Sequence, residues 1–319
     1  RLSVEQDYSL EDHGYQRGFT STEYVLKTID DIAELSKRDF NDFIDGLIDK
    51  LKMIKIERPA NTGSINMIRR VIEHVENNGY ENLVKFIDEL KKTVVDACSK
   101  SAAIASRRIV DGDVIMTMSN SMCLREMFKI LVEKGVSFKV YVLESRPGME
   151  GLDLADYLDK LGVETYLVID SAARFFMKEV KKVFIGVETL ASNGAVIGKV
   201  GTSILALAAS EARVRVFAIA PTYKLGLETI FGELIKIPEG DWRMLMSEKI
   251  RSQLPSDYRV YVPLFDVTPP NLIDGVITEY GLFAPQALPF IIKSIYGSYP
   301  PEVKTIDSLI NELNSLHGG

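Results

Sequence analysis

The sequence predicts an α/β protein with an N-terminal helical domain (residues 1–108) followed by a parallel-sheet domain (109–319). Two observations predict it. Up to residue 108 apolar residues recur at helical spacing, and no strand-like run interrupts them. From residue 111 short runs rich in Val and Ile alternate with amphipathic stretches, the pattern of βαβ units whose sheet is covered on both faces. A chain of 319 residues suits two domains of about 100–200 residues each.

The elements follow in order. Val25, Leu26, Ile29 and Ile32 mark one face of a first helix over residues 22–35. Phe43, Ile44, Leu47, Ile48 and Leu51 mark a second. Ser64 is placed to cap a third, carrying Ile65, Ile68, Val71 and Ile72 and ending near Gly79. Residues 82–108 hold neither Gly nor Pro, and Phe86, Leu90, Val94 and Ala97 stack along one side of a fourth. Strands are expected at 114–117, 139–143, 165–169, 183–187, 214–219 and 275–278, with helices at 124–134, 152–161, 172–180 and 203–212 between them. Pro263, Pro269 and Pro270 predict a rigid loop before a last strand and two helices.

Composition excludes several functions. With 38 basic and 45 acidic side chains the net charge is −7, which lacks the basic footprint of non-specific nucleic-acid binding. Three histidines, none clustered with Cys or Asp at ligand spacing, argue against a metal site. Two cysteines make no disulfide framework, which predicts a reducing, cytoplasmic setting with Cys123 as a small buried apolar side chain. The most apolar stretch, 204–219, is broken by Glu211, Arg213 and Arg215, short of the ~20 apolar residues of a membrane span. The polar, acidic start does not read as a signal peptide.

In an open parallel sheet, ligands bind outside the carboxyl ends of the strands. Ser119, Asn120 and Ser121 follow the first expected strand and open a helix, where free N–H groups make an anion site or the same residues merely cap the helix. Arg146, beside Pro147 and Gly148, follows the second strand and carries a guanidinium suited to phosphate or carboxylate. Glu188 follows the fourth strand. Lys199, Gly201 and Thr202 precede another helix as a candidate phosphate cradle, or form a tight turn with a solvent-facing lysine. The spacing is not that of a P-loop, and no G-x-G-x-x-G predicts a dinucleotide; no cofactor is expected. G-x-S-x-G is absent, which removes the serine-hydrolase reading.

Together DGDVIMTMSNS (111–121), VLESRPGMEGLDLADYL (142–158), VIDSAARFFM (168–177), GVETLASNGAVIGKVGT (186–202), APTYKL (220–225), FDVTPP (265–270) and VITEYG (276–281) resemble one family. It holds the alpha, beta and delta regulatory subunits of eukaryotic initiation factor 2B, their archaeal homologues, ribose-1,5-bisphosphate isomerase and methylthioribose-1-phosphate isomerase. The resemblance covers about residues 58–295 and implies a helical domain followed by a Rossmann-like domain. It further implies dimerisation through that second domain, and contact with the alpha subunit of initiation factor 2 near FDVTPP.

The isomerases of this family resemble one another in positions that differ here. Their Cys is Ser119, preceded by Met118 in place of His; their Asp is Glu188; and the Asn of their N-K pair is Gly198, leaving Lys199. Their R-G-A loop has no match, because Arg17 and Gly18 are followed by Phe19 and come too early. A serine hydroxyl stays protonated near neutral pH without a base. One added methylene displaces a carboxyl by over an ångström, and a misplacement of ~1 Å can cost ~10²-fold.

The expectation is therefore a non-catalytic regulatory-subunit-like protein. It would bind a phosphorylated metabolite, a sugar phosphate or nucleotide, through Ser119, Asn120, Ser121, Arg146, Glu188, Lys199, Gly201 and Thr202, and would self-associate. The alternative is a sugar-phosphate isomerase with Glu188 as base and Ser119 as donor. A plain oligomerisation module is the third reading, and it carries less weight because Arg146 and Lys199 are expected to converge on one crevice without acidic partners.

Overall fold

The computed structural model describes residues 18–316. Four helices come first: α1 (Ser21–Leu35), α2 (Phe40–Glu57), α3 (Thr62–Asn78) and α4 (Leu83–Ser106). Thr20 and Glu23 close a capping box on α1, and Asp39 caps α2. The cap of α3 is Asn61, not Ser64: the Asn61 side chain accepts from the Ser64 N–H at 3.0 Å. Ser64 thus lies inside the first turn, and its hydroxyl accepts from Thr28 at 3.0 Å. An Asx side chain reaches the third N–H as well as serine does, so the cap lies three residues before the expected one.

After α4 the chain runs β1 (Asp113–Met118), α5 (Met122–Glu133), β2 (Phe138–Leu143), α6 (Gly151–Lys160), β3 (Glu164–Val168), α7 (Ala173–Phe176) and β4 (Lys182–Gly186). Next come β5 (Thr189–Ala191), β6 (Val196–Lys199), α8 (Thr202–Glu211), β7 (Arg215–Ile219), β8 (Leu225–Gly226), α9 (Glu248–Arg251) and β9 (Phe265–Thr268). The last elements are β10 (Gly275–Thr278), β11 (Gly281–Phe283), α10 (Leu288–Tyr296) and α11 (Ile306–Leu316).

The main sheet has seven strands in the order β11-β10-β7-β4-β1-β2-β3, parallel except for β11. The chain builds outward from β1 to β3, then returns to lay β4 on the other side of β1. The crossovers on either side of that point diverge and leave a crevice outside the carboxyl ends of β1 and β4. The architecture is α/β, with the helical region leading into a mostly parallel sheet.

Alternating side chains of each strand feed two cores. Ile115, Val140 and Phe184 face Leu124, Phe128 and Leu154 from α5 and α6. Met116, Tyr141 and Val183 face Ala173, Leu205 and Ile292 from α7, α8 and α10. A third core lies among α1–α4, where Leu309 and Leu313 of α11 also pack. The helix α4 serves two cores: Leu90 and Val94 pack among the helices, whereas Ala102 and Ala105 pack toward the sheet.

Three local expectations differ from the structure. A small second sheet, β8-β5-β6-β9, was not legible, because β8 has two residues and β5 three, too few for a period. Residues 265–268, expected in a rigid loop, form β9 and pair with β6. Cys123 is not a lone thiol. It is bonded to Cys98 across α4 and α5, with Cα atoms 5.2 Å apart. Among the described residues no helix is long and apolar enough to cross a membrane.

Candidate functional site

A crevice opens at the switch point. It is lined from both regions: Gly18–Ser21 and Arg58 on the helical side, and Ser119–Ser121, Glu150, Glu188, Lys199, Thr202 and Phe265 on the sheet side.

Ser119 follows β1 with a φ of 60°, an uncommon conformation for a residue bearing a Cβ. Its N–H donates to the Ser145 hydroxyl at 2.6 Å. Ser145, also at positive φ, is pinned in turn by Asp170, which accepts from the Ser145 and Arg146 N–H groups at 2.8 and 2.7 Å. The turns after β1 and β2 are thus locked to each other. Gly186 at the end of β4 makes room for this, since a Cβ there would lie 2.7 Å from the Ser121 Cβ.

Glu188 is 4% exposed and is held from the helical side. The Arg58 guanidinium donates to both carboxylate oxygens, Nε to Oε1 at 2.8 Å and Nη2 to Oε2 at 3.0 Å. Asn61 adds a donor to Oε1 at 2.8 Å. Burial pushes the Glu188 carboxyl up, but Arg58, Lys224 and the Asn61 bond together outweigh it and hold it below the usual carboxylate range. Glu188 is therefore an ionised carboxylate in a water-poor wall of the crevice.

Lys199 reaches the crevice but is not free, because its ammonium pairs with Glu150. The expectation that it lacks an acidic partner is corrected here. Two acceptors on the crevice wall, Glu150 Oε2 and Asn120 Oδ1, are buried without a hydrogen-bond partner among the described residues. A buried orphan acceptor costs ~1–3 kcal/mol, a cost that a donor entering the crevice would remove.

The other predicted residues are spread unequally. Ser119, Asn120, Ser121, Glu188, Lys199 and Thr202 share the crevice. Thr202 is buried and spends its hydroxyl on the Lys199 carbonyl at 2.5 Å. Gly201 has a φ of 100° and gives its N–H to Asp266 at 2.8 Å. The Ser203 N–H and hydroxyl go to the same carboxylate, at 3.2 and 2.7 Å to Oδ2. The expected phosphate cradle at the start of α8 is filled by an internal anion. Arg146 directs its guanidinium to the Leu245 carbonyl at 3.0 Å and is not part of the crevice lining.

Sequence reasoning missed Arg58, Asn61, Glu150, Phe265 and the segment 18–21. The one available signal was Arg17-Gly18, set aside as too early; Gly18 lines the crevice, while Arg17 lies outside the described residues.

Comparison with known proteins identifies the lineage. A model of the initiation factor 2 subunit family matches residues 14–285. The chain belongs to that family. Within it, a ribose 1,5-bisphosphate isomerase of Methanocaldococcus jannaschii is 33% identical over 276 residues, 86% of each chain. One of Archaeoglobus fulgidus is 37% identical over 264 residues, 82% of each chain. A solved family structure, the translation initiation factor eIF-2B of Pyrococcus horikoshii, superposes with a TM-score of 0.73 at 26% identity, covering 86% of this chain and 95% of that one.

These findings overturn the expectation of a non-catalytic regulatory subunit. Six curated archaeal relatives, 30–39% identical over most of the chain, bear the name ribose 1,5-bisphosphate isomerase. The longer carboxylate is not misplaced in a vacant site: Arg58 and Asn61 hold it with three hydrogen bonds.

Proposed function

We propose that the chain is a sugar-phosphate aldose–ketose isomerase acting on a substrate of the ribose 1,5-bisphosphate type. The observation that carries the reading is Glu188, an ionised and oriented carboxylate in the same crevice wall as Ser119 and two unpartnered acceptors.

Converting a ring-closed aldose phosphate into a ketose opens the bond between C1 and the ring oxygen. The ring oxygen takes a proton, the hydrogen on C2 moves to C1, and the C2 hydroxyl gives up its proton as C2 becomes a carbonyl. One base and one donor suffice if the proton that the base takes from the C2 hydroxyl is returned to the donor after it has protonated the ring oxygen, so that neither ends the cycle changed. Glu188 serves as base: Oε2 accepts only from Arg58 Nη2 among the described residues, while Oε1 takes two bonds. Ser119 donates to the developing oxygen from a turn held at positive φ. Asn120 and Glu150 accept from sugar hydroxyls. Anion binding falls to the N-terminus of α5, a helix of twelve residues whose Ser121 makes no side-chain cap bond.

The test is turnover. Purified protein incubated with ribose 1,5-bisphosphate forms the ketose bisphosphate, and Glu188→Gln abolishes product while still binding the sugar. Absence of product from the unaltered protein, with the sugar bound, removes the reading. Self-association through the sheet region is the accompanying proposal, supported by an α8 face on which Ile204 and Leu207 remain exposed.

A further inference from the structure

We propose that Lys224 is a positioning residue for Glu188: its ammonium holds the Val187 carbonyl and so fixes the backbone from which the carboxylate projects. The inference deepens the isomerase reading above and rests on it for its kinetic consequences.

Lys224 is 1% exposed, so an amine has been placed where water cannot solvate it. It lies in the one-turn helix between β7 and β8, and Nζ donates to Val187 O at 2.7 Å. The backbone around it is bolted to α3. Thr62 donates to the Lys224 carbonyl at 3.1 Å, and Asn66 Nδ2 donates to the Tyr223 and Leu225 carbonyls at 2.9 and 2.8 Å. A lysine is ordinarily a flexible point charge; with its backbone tied on both sides, this one acts from a fixed root. The residue it holds directly precedes the proposed base, which Arg58 and Asn61 grip from the other side. The carboxylate is thus set between two supports, one on its side chain and one on its backbone.

The charged and titratable groups facing Nζ are Glu188 from the β4–β5 link, Arg58 after α2, and the Tyr223 ring at 5.9 Å. Burial pushes the amine down, and Arg58 adds to this while Glu188 opposes it, leaving it at about 8. In the unfolded chain a lysine titrates near 10.4. Between these values the unfolded state binds more protons, so the native protein gains stability as pH rises through that window. A neutral amine also leaves Glu188 without one of its two cationic neighbours.

The experiment compares the unaltered protein with Lys224→Met and Lys224→Arg on ribose 1,5-bisphosphate across pH 7–10. The expected result for Lys224→Met is a kcat lower by about tenfold or more, the scale of a misplaced catalytic group, with KM within about twofold. Lys224→Arg recovers most of kcat and moves the alkaline decline away from pH 8. Retention of full kcat by Lys224→Met overturns the proposal. So does an alkaline decline shared by all three proteins, or a loss in Lys224→Arg as large as in Lys224→Met at an unchanged melting temperature. If the unaltered protein turns over no sugar phosphate, the isomerase reading falls and the positioning claim is judged on unfolding alone. A cycle of Lys224→Met, Glu188→Gln and the double variant in urea is then expected to be non-additive, and additivity within error overturns it.

Discussion

The turn after β1 and the turn before α8 share a backbone plan: a strand end, a residue at positive φ (Ser119 or Gly201), and a helix beginning within three residues of it. Before α8 the N–H donors converge on Asp266, so the positive end of that helix is neutralised within the chain. After β1, Ser119 gives its N–H to a neutral hydroxyl, and the adjoining wall keeps Asn120 Oδ1 and Glu150 Oε2 without partners. The two turns thus differ in where their N–H donors go: to a carboxylate delivered from β9 before α8, and to a neutral hydroxyl after β1.

The comparison breaks most severely at Glu188. Glu188→Gln keeps the shape and the Asn61 contact but removes the proton acceptor, so turnover is expected to fall by ~10²–10⁴-fold, read from initial rates at saturating sugar phosphate. The same variant tests the electrostatics. Arg58 and its neighbours hold the Glu188 carboxyl below its ordinary value despite burial, so its ionised form stabilises the native state. That stability is present above the ordinary glutamate value of about 4.3 and is lost as pH falls through the lower native value. Urea midpoints of the unaltered protein should therefore drop in acid more steeply than those of Glu188→Gln.

A smaller effect is expected at Ser119. Ser119→Ala removes a donor but no charge, and kcat should fall by about tenfold, below the range of a lost general base. Ser119→Cys restores a group partly ionised near neutral pH and should equal or exceed the unaltered rate. An alanine variant with full activity would move the donor role off this turn.

Much of the fold was legible because the six parallel strands of the main sheet are apolar runs long enough to show their character, and α1–α4 keep their stripes; the three-residue β11 was not expected. The strand at Gly275–Thr278 was placed to the residue. The second sheet was not legible, since a strand of two or three residues carries no period. Within the site, Ser119 and Glu188 were found by one rule, the carboxyl ends of parallel strands. Arg58 and Asn61 escaped it because they lie on the helical side, 130 and 127 residues from Glu188. Arg146 and Gly201 were singled out on local residue type, and each has its polar group taken by a distant partner, Leu245 and Asp266.

Asp266 supplies the mildest and most discriminating test of that comparison. Burial pushes its carboxyl up, while the bonds from Ser203 and Gly201 pull it down without restoring the ordinary value. It acts as a helix cap delivered from β9, 65 residues from Gly201. Replacing it with alanine strips the cap of α8 and should lower unfolding stability by ~1 kcal/mol, the usual scale for a lost cap. The crevice after β1 keeps its residues, so kcat should change by less than about threefold, far less than at Glu188. The vacated donors should then behave as the sequence of the turn first suggested, and inorganic phosphate should raise the melting temperature of Asp266→Ala more than that of the unaltered protein. An equal response of the two proteins to phosphate would mean that the turn before α8 has no anion affinity of its own, and that its likeness to the turn after β1 ends at backbone geometry.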